Sequence, residues 1–106
     1  MSAATPEPSA RPPLVRSTAL VAVDRPAHVA KELASHFGRR TPADEVPGGY
    51  RLHFPLGRVF LSAAEGGLAL AADAPDEDAL SRVESLVGGR LQSIAPHELA
   101  IEWRRQ

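Results

Sequence analysis

The chain has 106 residues, 43% of them apolar, and a formal net charge of −1 from 12 basic and 13 acidic residues. That length holds one domain around one modest core, burying somewhat over ~60% of the unfolded surface, and the near-neutral charge argues against a general polyanion binder. Cysteine is absent, which excludes disulfides, thiolate metal sites and a cysteine nucleophile.

No run approaches the ~18 apolar residues that a membrane-spanning helix needs. The opening MSAATPEPSARPPL has neither the basic leader nor the apolar core of a secretory signal, so a cytoplasmic location is expected. Residues 1–15 are rich in proline (Pro6, Pro8, Pro12 and Pro13) and cannot bury enough surface to offset their ordering entropy. They are expected to form a disordered tail, with a single domain over 16–106. Lys31 is the sole lysine beside eleven arginines, which with the many alanines reads as a base-composition bias of the genome.

Order is expected to begin with a strand over Ser17–Val23. Thr18, Leu20 and Ala22 alternate with Ala19, Val21 and Val23, so both faces are apolar, as in the middle of a sheet. Asp24 is the expected N-cap of the first helix, with Pro26 in its first turn. Val29, Ala30, Leu33, Ala34, His36 and Phe37 form the apolar stripe, Gly38 stops the helix, and Arg39 and Arg40 suit its carbonyl pole. Residues 41–49, TPADEVPGG, read as a loop.

Three strands follow in a meander. Tyr50, Leu52 and Phe54 alternate with Arg51 and His53; Val59, Leu61 and Ala63 with Arg58, Phe60 and Ser62; Leu68, Leu70 and Ala72 with Ala69 and Ala71. Pro55-Leu56-Gly57 and Glu65-Gly66-Gly67 supply the turns. The acidic run Asp73–Asp78 is explained as a helix start. Leu80, Val83, Val87, Leu91 and Ile94 give the second helix its stripe, with Gly88-Gly89 inside it as a kink or a close approach to the sheet. Pro96 ends that helix, and Leu99, Ile101 and Trp103 alternate with Ala100, Glu102 and Arg104 as a last strand.

The expected fold is α+β: a two-layer sandwich in the order β-α-β-β-β-α-β, a five-stranded, mainly antiparallel sheet with both helices on one face. Leu20, Val29, Leu33, Phe37, Tyr50, Leu52, Phe54, Val59, Leu61, Leu68, Leu70, Leu80, Val83, Val87, Leu91, Leu99, Ile101 and Trp103 are expected between the layers. The other face then carries Arg51, His53, Arg58, Phe60, Ser62, Ala69, Ala71, Glu102 and Arg104. Such a surface packs against a second copy, with Phe60, Arg58 and Ala69 as the interface candidates, holds a small anionic ligand, or stands in water.

Histidine chemistry has two readings. His36, inside the apolar stripe, is either a ligand-binding or proton-handling group or a helix-end imidazole bonded to a nearby oxygen. His53 shares a strand face with Arg51 and joins it and Arg58 in a small cationic patch, or is solvated. His28 and His97 are expected to be exposed. No pair of histidines has the i, i+4 spacing of a metal site, and His97-Glu98 meets Ile101 where a zinc-protease helix needs its second histidine. No GxSxG elbow and no glycine-rich phosphate loop is present, and aromatics are 5% of residues, too few for a nucleic-acid stacking platform. The expectation is no cofactor, no metal, no catalytic residue, no nucleic acid and no membrane.

Leu33-Ala34-Ser35-His36-Phe37, Tyr50-Arg51-Leu52-His53-Phe54-Pro55-Leu56-Gly57, Leu68-Ala69-Leu70 with Ala74-Pro75-Asp76, and Leu99-Ala100-Ile101-Glu102-Trp103 together resemble the DUF2218 family of small bacterial proteins. The resemblance runs over roughly 17–105. It implies a role near iron or siderophore handling, because family members resemble or occur attached to siderophore-interacting flavin reductases, and it carries over no catalytic residue. Arg39 and Arg40 stand where relatives often have a second histidine or lysine, which counts against a metal. The leading expectation is a non-enzymatic accessory domain that binds a small ligand or partner in that metabolism, with His36, Arg39, His53 and Arg51 as contacts. The alternatives are a homodimerisation or interaction module using the open sheet face, and an enzyme with His36 as general base.

Overall fold

The computed structural model describes residues 14–94 and 99–105. Of the tail expected over 1–15, residues 1–13 fall outside those described, as do Pro96 and His97, and Val15 is in the first strand. The elements are β1 (Val15–Val21), α1 (Pro26–Phe37), β2 (Ala43–Val46), β3 (Gly49–His53), β4 (Arg58–Ala64), β5 (Gly67–Ala74), α2 (Glu77–Ile94) and β6 (Arg104–Arg105). All strand pairs are antiparallel and the sheet order is β2-β3-β4-β5-β1-β6. Both helices pack on one face, α1 over β3, β4 and β5, and α2 over β5 and β1.

Directly opposed residues of an antiparallel pair share a face, so the register sorts the side chains. Inward rows include Tyr50, Leu61, Leu70 and Ala19, and Leu52, Val59, Ala72 and Ser17. They meet Leu33 of α1 and Leu80, Val83, Val87 and Leu91 of α2, all fully buried. Each such side chain contributes about 1.5–3 kcal/mol on burial. Outward rows run Arg51, Phe60, Ala71, Thr18 and Arg104; His53, Arg58, Asp73 and Arg16; and Ser62, Ala69 and Leu20.

Leu20 is the first correction. It faces outward at 56% exposure, while Ala19 and Val21 fill the core. Both faces of β1 are apolar, so periodicity cannot choose between them; pairing does, because Ala19 opposes the buried Leu70 and Leu20 opposes Ala69. The sheet also has six strands. Part of the expected loop, Ala43–Val46, ladders onto β3 as an exposed edge strand. The C-terminal strand is reduced to Arg104–Arg105; Leu99, Ile101 and Trp103 pack against the core without joining the ladder.

Asp24 does not cap α1. Arg25 takes that position at φ 60° and ψ 59°, with no side-chain hydrogen bond, and its carbonyl accepts the amides of His28 and Val29. Pro26 disfavours the right-handed helical region for the residue before it, which pushes Arg25 out of the helix. At α2 the Asp76 carboxylate accepts the Ala79 amide at 2.8 Å, as an acidic helix start requires. Helix α2 runs unbroken through Gly88 and Gly89; a Cβ on Gly88 would stand 3.8 Å from Ile101 Cδ1 and one on Gly89 would meet open space, so neither marks a close approach to the sheet. Gly67, at φ 149°, is different: a Cβ there would lie 2.1 Å from the Val21 carbonyl oxygen.

Candidate functional site

The helix-free face has a trough over β5. Its floor is small, Ala69 and Ala71, because β5 alternates large inward with small outward residues. Larger side chains rise on the neighbours: Arg58, Phe60 and Ser62 on β4, and Arg16, Thr18 and Leu20 on β1. One depression of about 410 Å³ is bounded by Arg16, Arg51, Arg58, Phe60, Ala71 and Asp73. Asp73, assigned from sequence to the helix start, is part of β5. Its carboxylate accepts a two-point bond from Arg58, Nε to Oδ1 and Nη2 to Oδ2, each 3.2 Å.

The Arg16 and Arg51 side chains have no hydrogen-bond or ion-pair partner among the described residues. Three guanidiniums and one carboxylate line the depression; Asp44, opposite Arg51 on β2, shares this face and bonds His53, so the lining itself carries an excess of positive charge among the described residues. A guanidinium presents its donors in a planar fork that matches a carboxylate or phosphate, so this arrangement can hold an anion against Phe60.

The contact residues expected from sequence do not form one cluster. Arg51, with the interface candidates Arg58, Phe60 and Ala69, lies on the open face. His53 is on the same face at the sheet margin, where its Nε2 stands 2.9 Å from Asp44 Oδ2, and its backbone bonds to Pro42 and Thr41. His36 belongs to α1, on the other side of the sheet; its ring meets Phe37 edge-on at 4.9 Å, and Phe37 meets Phe54 at 5.2 Å. Arg39 lines a groove between α1 and β2 with Lys31, Glu45 and Tyr50. Arg16 and Asp73 were missed. Extending the alternation of Thr18 and Leu20 one step toward the N-terminus would have found Arg16. Among the described residues there is no group of three or more metal-ligating side chains, and no helix is long and apolar enough to cross a membrane.

The His36 pKa is held below its ordinary value, first by desolvation and then by the Arg90, Arg39 and Arg40 guanidiniums. The folded state therefore binds fewer protons at this position than the unfolded chain. The stability contributed by neutral His36 is present above the unfolded value, about 6.5, and is lost as pH falls through the lower folded value. The melting temperature is expected to fall from pH 7 to pH 5, and to fall less in His36→Gln. An unchanged slope in that variant would remove His36 from the effect.

No curated protein matches the sequence. The fold is similar to the NMR structure of PA4090 from Pseudomonas aeruginosa, with a TM-score of 0.71 and 22% identity, over 87% of this chain and 96% of that one. At that identity the likeness establishes the architecture. A family model described as an uncharacterised protein conserved in bacteria matches residues 18–104, from within β1 to the start of β6, and the chain belongs to that family, DUF2218.

Proposed function

We propose that the domain is a non-enzymatic binding module that holds a small anionic ligand on its helix-free sheet face. Arg16 and Arg51 are the principal contacts, Arg58 is steered by Asp73, and Phe60 offers an aromatic wall. The observation that carries this reading is the pair of guanidiniums, Arg16 and Arg51, that border one depression and have no partner among the described residues. Our reading adds a setting beside iron–siderophore metabolism in the cytoplasm, with a siderophore-interacting reductase as partner, which is what the resemblance drawn from the sequence implies; a ferric catecholate siderophore is an anion with aromatic faces and suits the same site. His36 and Arg39 lie on the other side of the sheet and are not part of it. His36 as general base gains no support from its neighbours, since the charged groups acting on it are the cations Arg90, Arg39 and Arg40.

Dimerisation, the alternative reading, would use the same surface. It would cover Leu20, Phe60 and Ala69, but a two-fold axis through the depression would set its basic cluster against its own copy. Thermal-shift measurements with salicylate, ferric and apo siderophores, flavins and haem test the proposal. A bound ligand at a hundred times its Kd adds about 2.7 kcal/mol, which raises Tm by several degrees in a domain of this size. The Arg16→Ala/Arg51→Ala double variant is expected to keep its unliganded Tm and lose the shift. No shift with any anion, or a shift retained in the double variant, would overturn the reading, as would a stable dimer in sedimentation that buries this face.

A further inference from the structure

We infer that the anionic ligand is amphiphilic, a free acid with an apolar tail that lies along β5. This rests on the anion site proposed above and specifies what else the ligand carries. The basic depression does not stand alone. A second one, of about 550 Å³, shares Thr18 and Ala71 with it and continues past Ala69 to Leu20, Glu102 and Arg104. The two make one trough with unlike ends. At the Arg16 end three guanidiniums face one carboxylate. Arg104 stands opposite Thr18, midway along the trough, and beyond it toward Leu20 the lining is apolar apart from Glu102.

The floor between the ends is alanine, so nothing interrupts a chain laid along the strand. Leu20 is 56% exposed, a large apolar side chain left in water on the same face of β1 as Arg16 and Thr18. From the Arg16 row to the Leu20 row is four residues of β1, about 13 Å at ~3.3 Å per residue. That length suits a medium-chain carboxylate with its head between Arg16 and Arg51 and its tail against Phe60, Ala71, Ala69 and Leu20. The reverse orientation would bring the acid to Glu102 and leave the arginines without a partner.

Calorimetric titration of the full chain with decanoate below its micellar concentration, acetate, decanol and salicylate tests this. Decanoate is expected to bind at least about tenfold tighter than acetate, from its buried methylenes, and decanol not measurably. Leu20→Asp is expected to weaken decanoate at least about tenfold while leaving salicylate within about twofold, because the tail and not the head meets residue 20. Leu20→Ser gives a smaller loss in the same direction without a new charge, and circular dichroism checks that both variants fold. Decanoate no tighter than acetate, with salicylate still bound, would overturn the amphiphile and leave the anion site standing. No binding of any of the acids would overturn both. Binding to phosphatidylglycerol vesicles through the same arginines, with free decanoate ignored, would overturn the free-acid form.

Discussion

Val21→Asp is expected to unfold the domain, while Leu20→Asp, one residue earlier, changes its stability by less than about 1 kcal/mol. The two positions have similar chemistry and opposite surroundings. Val21 is 1% exposed in the core behind α2, so a carboxylate there is desolvated without a cation and costs several kcal/mol, a large share of the ~5–15 kcal/mol that holds a small domain together. Leu20 faces the trough and stays wet. Urea denaturation followed by circular dichroism reads both, with the midpoint reporting stability as long as the slope is unchanged. Equal damage at both positions would mean that the outer face is covered in the free protein.

Arg105→Ala is expected to lower the urea midpoint measurably, unusual for a side chain at the surface. Its Nη1 donates to Glu84 of α2 and its Nε donates to Glu77 at 2.9 Å. The Glu84 side chain is 11% exposed and also accepts the hydroxyl of buried Ser17 at 2.7 Å. Arg105 thus ties β6, β1 and α2 together, and its loss leaves a nearly buried carboxylate with one neutral donor. In a Glu84→Gln background the same Arg105→Ala change is expected to cost less, since no charge is left behind. An equal cost in both backgrounds would assign the effect to packing of the arginine stem.

The legible parts of the fold were those where one face is apolar and the other polar. β4 and α2 have that contrast, β5 has one of size with Leu68 and Leu70 against Ala69 and Ala71, and their buried residues follow the alternation and the helical stripe. β1 lacks it: with Leu20 and Val21 both apolar, only the pairing of Ala19 with Leu70 shows which side is inside. β2 had no apolar signal because Ala43, Asp44 and Glu45 are exposed at a sheet edge. The closing Leu99, Ile101 and Trp103 have a strand's alternation but spend it on packing against the core, with Ile101 beside α2. Half of the site was legible for the same reason. Arg51, Arg58, Phe60 and Ala69 followed from alternation, whereas Arg16 lay beyond the expected strand start and Asp73 was absorbed by the acidic run. Which face His36 served depended on where α1 sits, and α1 places it away from Arg51.

Amide chemical-shift mapping of the full chain with salicylate decides whether the helix-free face is the binding face. Movement at Arg16, Thr18, Phe60 and Ala71, with His36, Arg39 and the rest of α1 still, is the expected result. Shifts centred on α1 and the His36–Phe37 aromatic pair, with the β1, β4 and β5 amides unmoved, would contradict it.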